Sequence, residues 1–456
     1  MQTQEQMQAQ AQGQIQTREQ MQIPKDVEEI IEKLNQNGFE AYAVGGCVRD
    51  TLLGRTPGDW DITTSALPQQ VKQIFKRTID TGIQHGTVTV MLHGTGYEVT
   101  TYRIDGAYED GRHPKSVEFT DNLIEDLKRR DFTINAMAYS QKTGIVDAFD
   151  GRRDLNDRII RCVGEARERF TEDALRILRA VRFSGQLGFG IEAQTYRAIR
   201  EIAPNLSNVS KERILTELTK LLLSAHPESL LDVWRTGMTP YIAQDFSEVF
   251  ENQSEQEMEE CLKRAASLPA LRHMRFAAAF YGIESQKTEK ILRELKSDND
   301  TIKKTAVLVQ TFQEPFFGDK VKIRHKMNEI GAPLFLDSLE VKRILPKGAA
   351  ECEELLELSA QCGNDFERAA ECEAQKTAWV LEKRLADEIL ADGDCISLKD
   401  LAVTGADLIR AGIKPGKQMG EILHRLLEMV LEEPQRNQKE LLLRMAQSMD
   451  NENWMK

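Results

Sequence analysis

Just past Pro24, the stretch VEEIIEKLNQNGFEAYAV (27–44) spaces its apolar residues as an amphipathic helix does. It predicts a helix closed by Gly38 near its C-terminus and then a short apolar strand running into Gly45-Gly46. Strand-like runs follow over 60–63, 87–92 and 97–102, interleaved with a helical stretch over 67–75, which is an α/β pattern. After about residue 155 the strand signals stop. Amphipathic helices take over, for example at 172–182, 193–202 and 211–223, and persist to the C-terminus. The expected fold class is α+β: a small α/β head with a mixed sheet, followed by an elongated all-α remainder. Breakers near 237–240, 314–318, 346–348 and Gly393 mark subdivisions of that remainder. Ahead of it all, a Gln-dominated tract holds too few large apolar groups to pack, so residues 1–23 are expected to be a disordered leader.

Composition narrows this picture. With 456 residues, 41% of them hydrophobic and 29% charged, the chain can build a large core divided among several domains. A net charge of −13 excludes a protein that coats nucleic acid with indiscriminate positive charge, so any RNA site must be a local basic strip. Cys47, Cys162, Cys261, Cys352, Cys362, Cys372 and Cys395 form no CxxC pair and have no histidine at finger-like spacing. Neither a disulfide framework nor a zinc knuckle is indicated, and a reducing cytoplasm fits best. No apolar run approaches the roughly 20 residues that span a bilayer, and no basic-then-apolar export signal opens the chain, so no membrane association is expected.

The strongest local signal is VGGCVRDTLLGRTPGDWDITTS (44–65). Gly45 and Gly46 stand at a strand-to-helix junction, where backbone N–H groups can approach an anion closely and the helix N-terminus adds its dipole. Arg49 follows one turn later, making this a place for a triphosphate. Asp59 and Asp61, two apart on an extended strand, point to one face and can together hold one or two Mg²⁺ ions. Metals there can activate an attacking hydroxyl and neutralise a leaving pyrophosphate. An isolated Asp-x-Asp is more often an exposed turn; the upstream glycines and Arg49 favour the metal reading.

A second signal is EDALRILRAVRF (172–183). As a helix it sets Asp173, Arg176, Arg179 and Arg182 at successive i+3 steps along one ridge, with Ala174, Leu175, Leu178 and Val181 as an apolar stripe. A carboxylate beside a guanidinium offers the acceptor and donors that read the edge of C or A, while uracil and guanine present the wrong pattern. Taken alone, such spacing usually means a solvated ion-paired face. Nine Arg, no Lys and six acidic residues fall within 152–182, so this segment is locally basic, and arginine forks suit phosphate.

The 44–65 segment resembles the signature of polymerase-beta-like nucleotidyltransferases, in the branch that contains bacterial CCA-adding enzymes and bacterial poly(A) polymerases. RRDFTINAMA (129–138) is similar to that family's second motif, which implies phosphate contact by Arg130 and ribose recognition around Asp131 and Asn135. DAFDGRRDL (147–155) is similar to the third, which tethers head to neck; EDALRILRAVRF to the fourth; and ERILTEL (212–218) to the fifth, which stabilises the neck. The resemblance implies base selection by Asp173 and Arg176, assisted by Arg179 and Arg182. It runs over about 40–220, returns at 403–442, and is weak over 230–390. It implies a head at 24–154, a helical neck at 155–230, a body at 231–350 and a tRNA-binding tail at 351–456. It also implies Mg²⁺ as cofactor, CTP, ATP and tRNA as partners, and a cytoplasmic monomer or homodimer.

Glu98 is a third carboxylate on a neighbouring strand, but a surface strand residue is equally consistent, so it stays outside the metal set. The polar loop at 105–114 matches one that the family needs for switching from C to A addition. His273 lies where some relatives carry a His-Asp metal site; Phe280 and Tyr281 occupy the corresponding positions, and His273 is expected to be a packed or surface histidine. The expected activity is template-independent addition of C, C and A to the tRNA 3′ end, with pyrophosphate released. Alternatives are addition of the terminal A only, poly(A) synthesis, and a noncatalytic RNA-binding or nucleotide-binding module. The short, non-basic end MAQSMDNENWMK speaks against poly(A) synthesis, and the cost of burying unused charge speaks against the module.

Overall fold

A computed structural model describes residues 21–106, 117–345 and 365–453. Most of the Gln-rich leader, the 107–116 stretch of the polar loop, and Cys352 and Cys362 lie outside the described residues. The leader's expected end at 23 is corrected, because Met21 is buried and donates its N–H to Tyr139 Oη at 3.1 Å. The chain folds as two compact units, residues 1–247 and 248–456. The first spans both the expected head and the expected neck.

In the first unit, helix α1 (Lys25–Gln36) forms as predicted, with Val27, Ile30, Ile31 and Leu34 buried and acidic Asp26 and Glu28 in its first turn. Gly38 follows at φ +87°, and β1 (Ala41–Val44) is buried at every position. Such a strand must lie inside a sheet, and it does. The remaining strands are β2 (Ile62–Thr64), β3 (Thr78–Gly82), β4 (Thr87–Leu92), β5 (Thr95–Thr101), β6 (Arg103–Asp105), β7 (Val117–Phe119), β8 (Met137–Ser140) and β9 (Gly144–Asp147). Seven strands build one mixed sheet in the order β3-β4-β5-β2-β1-β8-β9, while β6 and β7 pair separately. Pairs are antiparallel except β2 with β5, which run parallel with Ile62 opposite Val99. His93 and Gly94, both at positive φ, form the two-residue turn between β4 and β5.

The helices α2 (Gly46–Leu52), α3 (Pro68–Ile74), α4 (Leu123–Lys128) and α5 (Gly151–Asn156) flank these strands in sequence. Tyr42, Val44, Tyr102, Leu123, Leu127, Ala136, Ala138 and Val163 make a core against the sheet. Strand character does not end at 155 as expected: β10 (Ile159–Ile160) pairs in parallel with β11 (Gly190–Ile191). Helices α6 (Ala166–Glu172), α7 (Leu175–Leu187), α8 (Ala193–Ile202) and α9 (Lys211–Leu222) then form the helical part, so the continuous helix expected over 172–182 is broken.

The second unit is helical among its described residues. Ile323, Met327, Phe335, Leu339, Ala386 and Ile389 form one core, and Leu401, Leu408, Leu426, Val430, Leu442 and Ala446 belong to another. Arg324 is buried, ion-pairs with Asp394 at 2.9 Å and donates to the carbonyls of Leu431 and Glu432, which neutralises the C-terminal end of the helix Lys417–Glu432. His273 is packed, 2.8 Å from Asp337, as a structural histidine would be. No helix among the described residues is long and apolar enough to cross a membrane.

Candidate active site

The turn after β1 is shaped by Gly45, at φ +83° and ψ −128°. Its N–H bonds to the Met137 carbonyl of β8 at 3.1 Å, and its own carbonyl accepts from Arg49 N at 3.1 Å, so the turn is tied to the sheet on one side and opens α2 on the other. A Cβ at Gly45 would lie 3.0 Å from Arg130 Nη1, so the missing side chain is what lets that guanidinium close onto the turn. Gly46 is the first residue of α2. Arg49 turns inward: it is buried, donates to Asn135 Oδ1 at 2.5 Å and to Asp50 at 2.9 and 3.0 Å, and faces the Phe183 ring at 5.0 Å.

Asp59 and Asp61 are not on the strand, as the sequence reading had them, but on the extended segment just ahead of β2. The Asp61 carbonyl already accepts from Val44 N at 3.0 Å, which fixes this segment beside the glycine turn. Both residues are exposed. The Asp61 carboxyl is nevertheless pushed above its ordinary value, first by desolvation against the surrounding protein, then by the charge of Asp59, with Glu98 adding and Arg130 opposing. The β2–β5 register carries Glu98 to the level of Asp61. Among the described residues no group of three His, Cys, Asp or Glu side chains is close enough to hold a metal ion. Two accessible carboxylates side by side, that of Asp61 raised in part by the charge of Asp59, do fit Mg²⁺, which usually keeps waters and substrate phosphates in its remaining positions.

The 129–138 motif supplies the opposite wall. Asp131 is buried, accepts from Asn135 Nδ2 at 3.0 Å, and accepts from Arg179 Nε and Nη2 at 2.9 and 2.6 Å. Burial by itself would raise its carboxyl, but the Arg179 charge and the bonds from Asn135 and Arg179 hold it well below the usual carboxylate range. Arg130 reaches Asp126 at 3.5 Å. Asp126 is fully buried; desolvation acts to raise its carboxyl, and the flanking Arg129 and Arg130 lower it overall.

Asp173 needs the clearest correction. It sits between α6 and α7 at φ −141° and ψ 101°, not on the helical ridge. Its Oδ1 accepts from Leu175 N at 3.1 Å and its Oδ2 from Arg213 Nη2 at 2.7 Å, so the side chain satisfies an orphan N–H at the start of α7 and breaks the helix there. Arg176, Arg179 and Arg182 do share α7. Arg176 donates to Glu172 at 2.6 Å and to the carbonyls of Arg169 and Arg129. Arg182 is buried and bonds to Glu217 and Gln186, both at 2.5 Å. Burial lowers its pKa, with Glu217 opposing. The guanidiniums of Arg49, Arg179 and Arg182 lie 5.0, 5.5 and 3.6 Å from the Phe183 ring centre. The expected apolar stripe of Ala174, Leu175, Leu178 and Val181 is buried.

Hydrogen bonds thus link Arg49, Asn135, Asp131 and Arg179 in a chain, Arg130 closes on the Gly45 turn, and further groups join them. Asp126, Phe183, Arg213 and Glu217 were not singled out as site residues. Each is a partner of a predicted arginine or aspartate, and only pairing in three dimensions reveals it. The Thr133 carbonyl would lie 2.4 Å from a Cβ at Gly151, so the 147–155 motif needs glycine to pack against the loop carrying Asp131 and Asn135.

Comparison with known proteins finds three family profiles along the chain. The Poly A polymerase head domain matches residues 41–161, the "Probable RNA and SrmB- binding site of polymerase A" matches 188–249, and domain 2 of tRNA nucleotidyltransferases matches 275–446. The chain is 36% identical to a CCA-adding enzyme of Ligilactobacillus salivarius, over 92% of this chain and 95% of that one. Among solved structures it resembles the Bacillus stearothermophilus CCA-adding enzyme in complex with CTP, at a TM-score of 0.73 and 32% identity, covering 95% of this chain and all of the other. A Thermotoga maritima CCA-adding enzyme complexed with tRNA shares the fold, at a TM-score of 0.58, 20% identity, and coverage of 94% and 97%.

Proposed function

We propose the reaction from a settled premise: the chain belongs to the CCA-adding enzymes among the tRNA nucleotidyltransferases. It adds C, C and A to the 3′ end of tRNA from CTP and ATP without a template, releasing pyrophosphate. What carries this reading is similarity to CCA-adding enzymes along nearly the whole chain. The tRNA 3′-hydroxyl attacks the α-phosphorus of the bound nucleotide and pyrophosphate departs. Asp59 and Asp61 are the residues that would hold Mg²⁺. The metal, when bound, lowers the pKa of the attacking hydroxyl and neutralises developing charge on the phosphates.

The chain's own groups do the positioning. Arg130 and the Gly46 N–H at the start of α2 bind the triphosphate, while the Gly45 N–H holds the turn to β8. Asp173 and Arg176 read the base edge, each steadied by a partner of its own, Arg213 and Glu172. Arg179, engaged by Asp131, fixes the selecting helix against the loop that carries Arg130, and Arg182, engaged by Glu217, fixes it against α9. Arg49 serves the same end through Asn135. The second unit, which holds the expected tail and the expected body from residue 248 on, grips tRNA by shape and backbone, since every tRNA sequence must be accepted. The enzyme works in the cytoplasm, as a monomer or homodimer.

The test offers labelled CTP or ATP, with Mg²⁺, to one tRNA in three forms: lacking CCA, ending in C, and ending in CC. Growth of all three to a full CCA end is expected. Extension of the CC form alone, by ATP, would make the enzyme an A-adding specialist, and extension of none would refute the assignment.

A further inference from the structure

Asp126 is a buried carboxylate at which donors from three residues converge. Arg129 Nε and Nη2 stand 2.9 and 2.8 Å from its Oδ1, Thr63 Oγ1 lies 3.2 Å from its Oδ2, and Arg130 Nη2 lies 3.5 Å from the same oxygen. These donors come from different parts of the site. Thr63 is in β2, two residues past Asp61, while Arg130 presents its Nη1 to the Gly45 turn. Among the described residues, Arg130 Nε is buried with no hydrogen-bond partner, which leaves Asp126 as the anchor of this guanidinium.

We propose that Asp126 is a positioning residue for nucleotide addition, holding Arg130 at a fixed offset from the Asp59–Asp61 segment so that one triphosphate meets both. The proposal rests on the CCA-addition reading. An arginine side chain carries large rotational freedom, and a guanidinium that must be in place before the nucleotide arrives binds more tightly if that freedom is already lost. Asp126 removes it from one side, through Arg130, and through Thr63 it refers the result to the strand behind the metal carboxylates. Arg129 supplies the second positive charge that keeps the buried carboxylate ionised.

The experiment compares Asp126→Asn, Thr63→Val, Arg130→Ala and the double variant Asp126→Asn/Arg130→Ala in the full chain with Mg²⁺. It measures kcat and KM for CTP, inhibition by pyrophosphate, and tRNA affinity. Asp126→Asn keeps the volume but removes the ion-pair partner that Arg129 and Arg130 share, leaving Arg129 with Asp105 at 4.0 Å, so KM for CTP should rise about tenfold. Pyrophosphate inhibition should weaken by a similar factor while tRNA affinity holds. Thr63→Val, which removes one hydrogen bond to the carboxylate and leaves its charge pairs intact, should raise KM about threefold and decides the matter if Asp126→Asn does not fold. The double variant should be no worse than Arg130→Ala, because both changes remove one function. Unchanged CTP and pyrophosphate behaviour in Asp126→Asn, losses that multiply in the double variant, or an unaltered Thr63→Val where Asp126→Asn is unfolded, would each overturn the proposal. A wild-type chain that adds nothing would instead refute CCA addition itself.

Discussion

Removing the charge of Glu217 while keeping its shape should cost the first unit far more than a surface ion pair would. Glu217 and Arg182 are only 5% and 7% exposed along their side chains, and their closest atoms are 2.5 Å apart, with Arg179 a further 3.8 Å neighbour of the same carboxylate. In Glu217→Gln, Arg182 keeps a neutral bond to Gln186 and its contact with Phe183, yet its charge stays buried beside that of Arg179. Breaking a buried pair from one side costs about 3–5 kcal/mol. The contacts that Arg182 retains place this variant near the lower end, about 3 kcal/mol. For a domain of this size that is a drop of roughly 6–12 °C in melting temperature. Urea unfolding followed by circular dichroism and by tryptophan fluorescence measures it, with Trp60 and Trp234 reporting on the first unit. Arg182→Met with Glu217→Leu removes both charges and should recover most of the loss. Moderate salt should change little, since buried charges are poorly screened. A Glu217→Gln variant within about 0.5 kcal/mol of wild type, or a double variant as unstable as the single one, would refute the reasoning.

Other expectations follow from the same geometry. Asp59→Ala or Asp61→Ala should abolish nucleotide incorporation and leave tRNA binding nearly intact in a gel-shift assay; surviving activity would remove both from the metal site. Gly151→Ala drives a Cβ to 2.4 Å from the Thr133 carbonyl and should lose about 3 kcal/mol or more. Gly38→Ala, with nothing within 4 Å of its Cβ and only its φ of +87° against it, should lose about 1 kcal/mol, as thermal melts of the two variants would report. Asp131, whose folded carboxyl lies below its unfolded value of about 4, contributes stability that is fully present above about pH 5 and is lost as pH falls through the folded value. Asp131→Asn should therefore flatten the acid limb of a urea-midpoint profile below about pH 5, and an unchanged slope would contradict the Arg179 pairing.

Much of this was legible in the chain because periodicity survives folding where one face is buried. Helix α8 was expected at its observed bounds, and β4 likewise. What escaped has physical causes. Strand β8 reads MAYS and is buried throughout, so it shows no alternation to mark it as a strand. The break at Asp173 is invisible to a pattern search, since the apolar stripe continues through it and the interruption arises from one side chain bonding to the backbone. The site's arginines could be listed from sequence, but their employment could not. Arg182 was expected to assist nucleotide binding and is found buried against Glu217, from a motif 35 residues away. Nothing in the sequence singles out Asp126; its place comes from Thr63 and Arg130 meeting on it.

The strand order has a consequence for how this protein is made. Strand β1 lies between β2 and β8, so its second edge stays open during synthesis until residues 137–140 leave the ribosome. At about 5–20 residues per second that wait lasts roughly 5–20 s after β1 itself appears. Throughout it, the apolar AYAV presents unpaired backbone, a surface that nascent-chain chaperones recognise and that crowded neighbours can join. The Gly45 N–H also lacks its Met137 partner during that interval. A translating ribosome thus holds a chain in which the carboxylates have been made but the phosphate turn has nothing to rest on until β8 arrives, and the base-selecting residues at α7 follow later still.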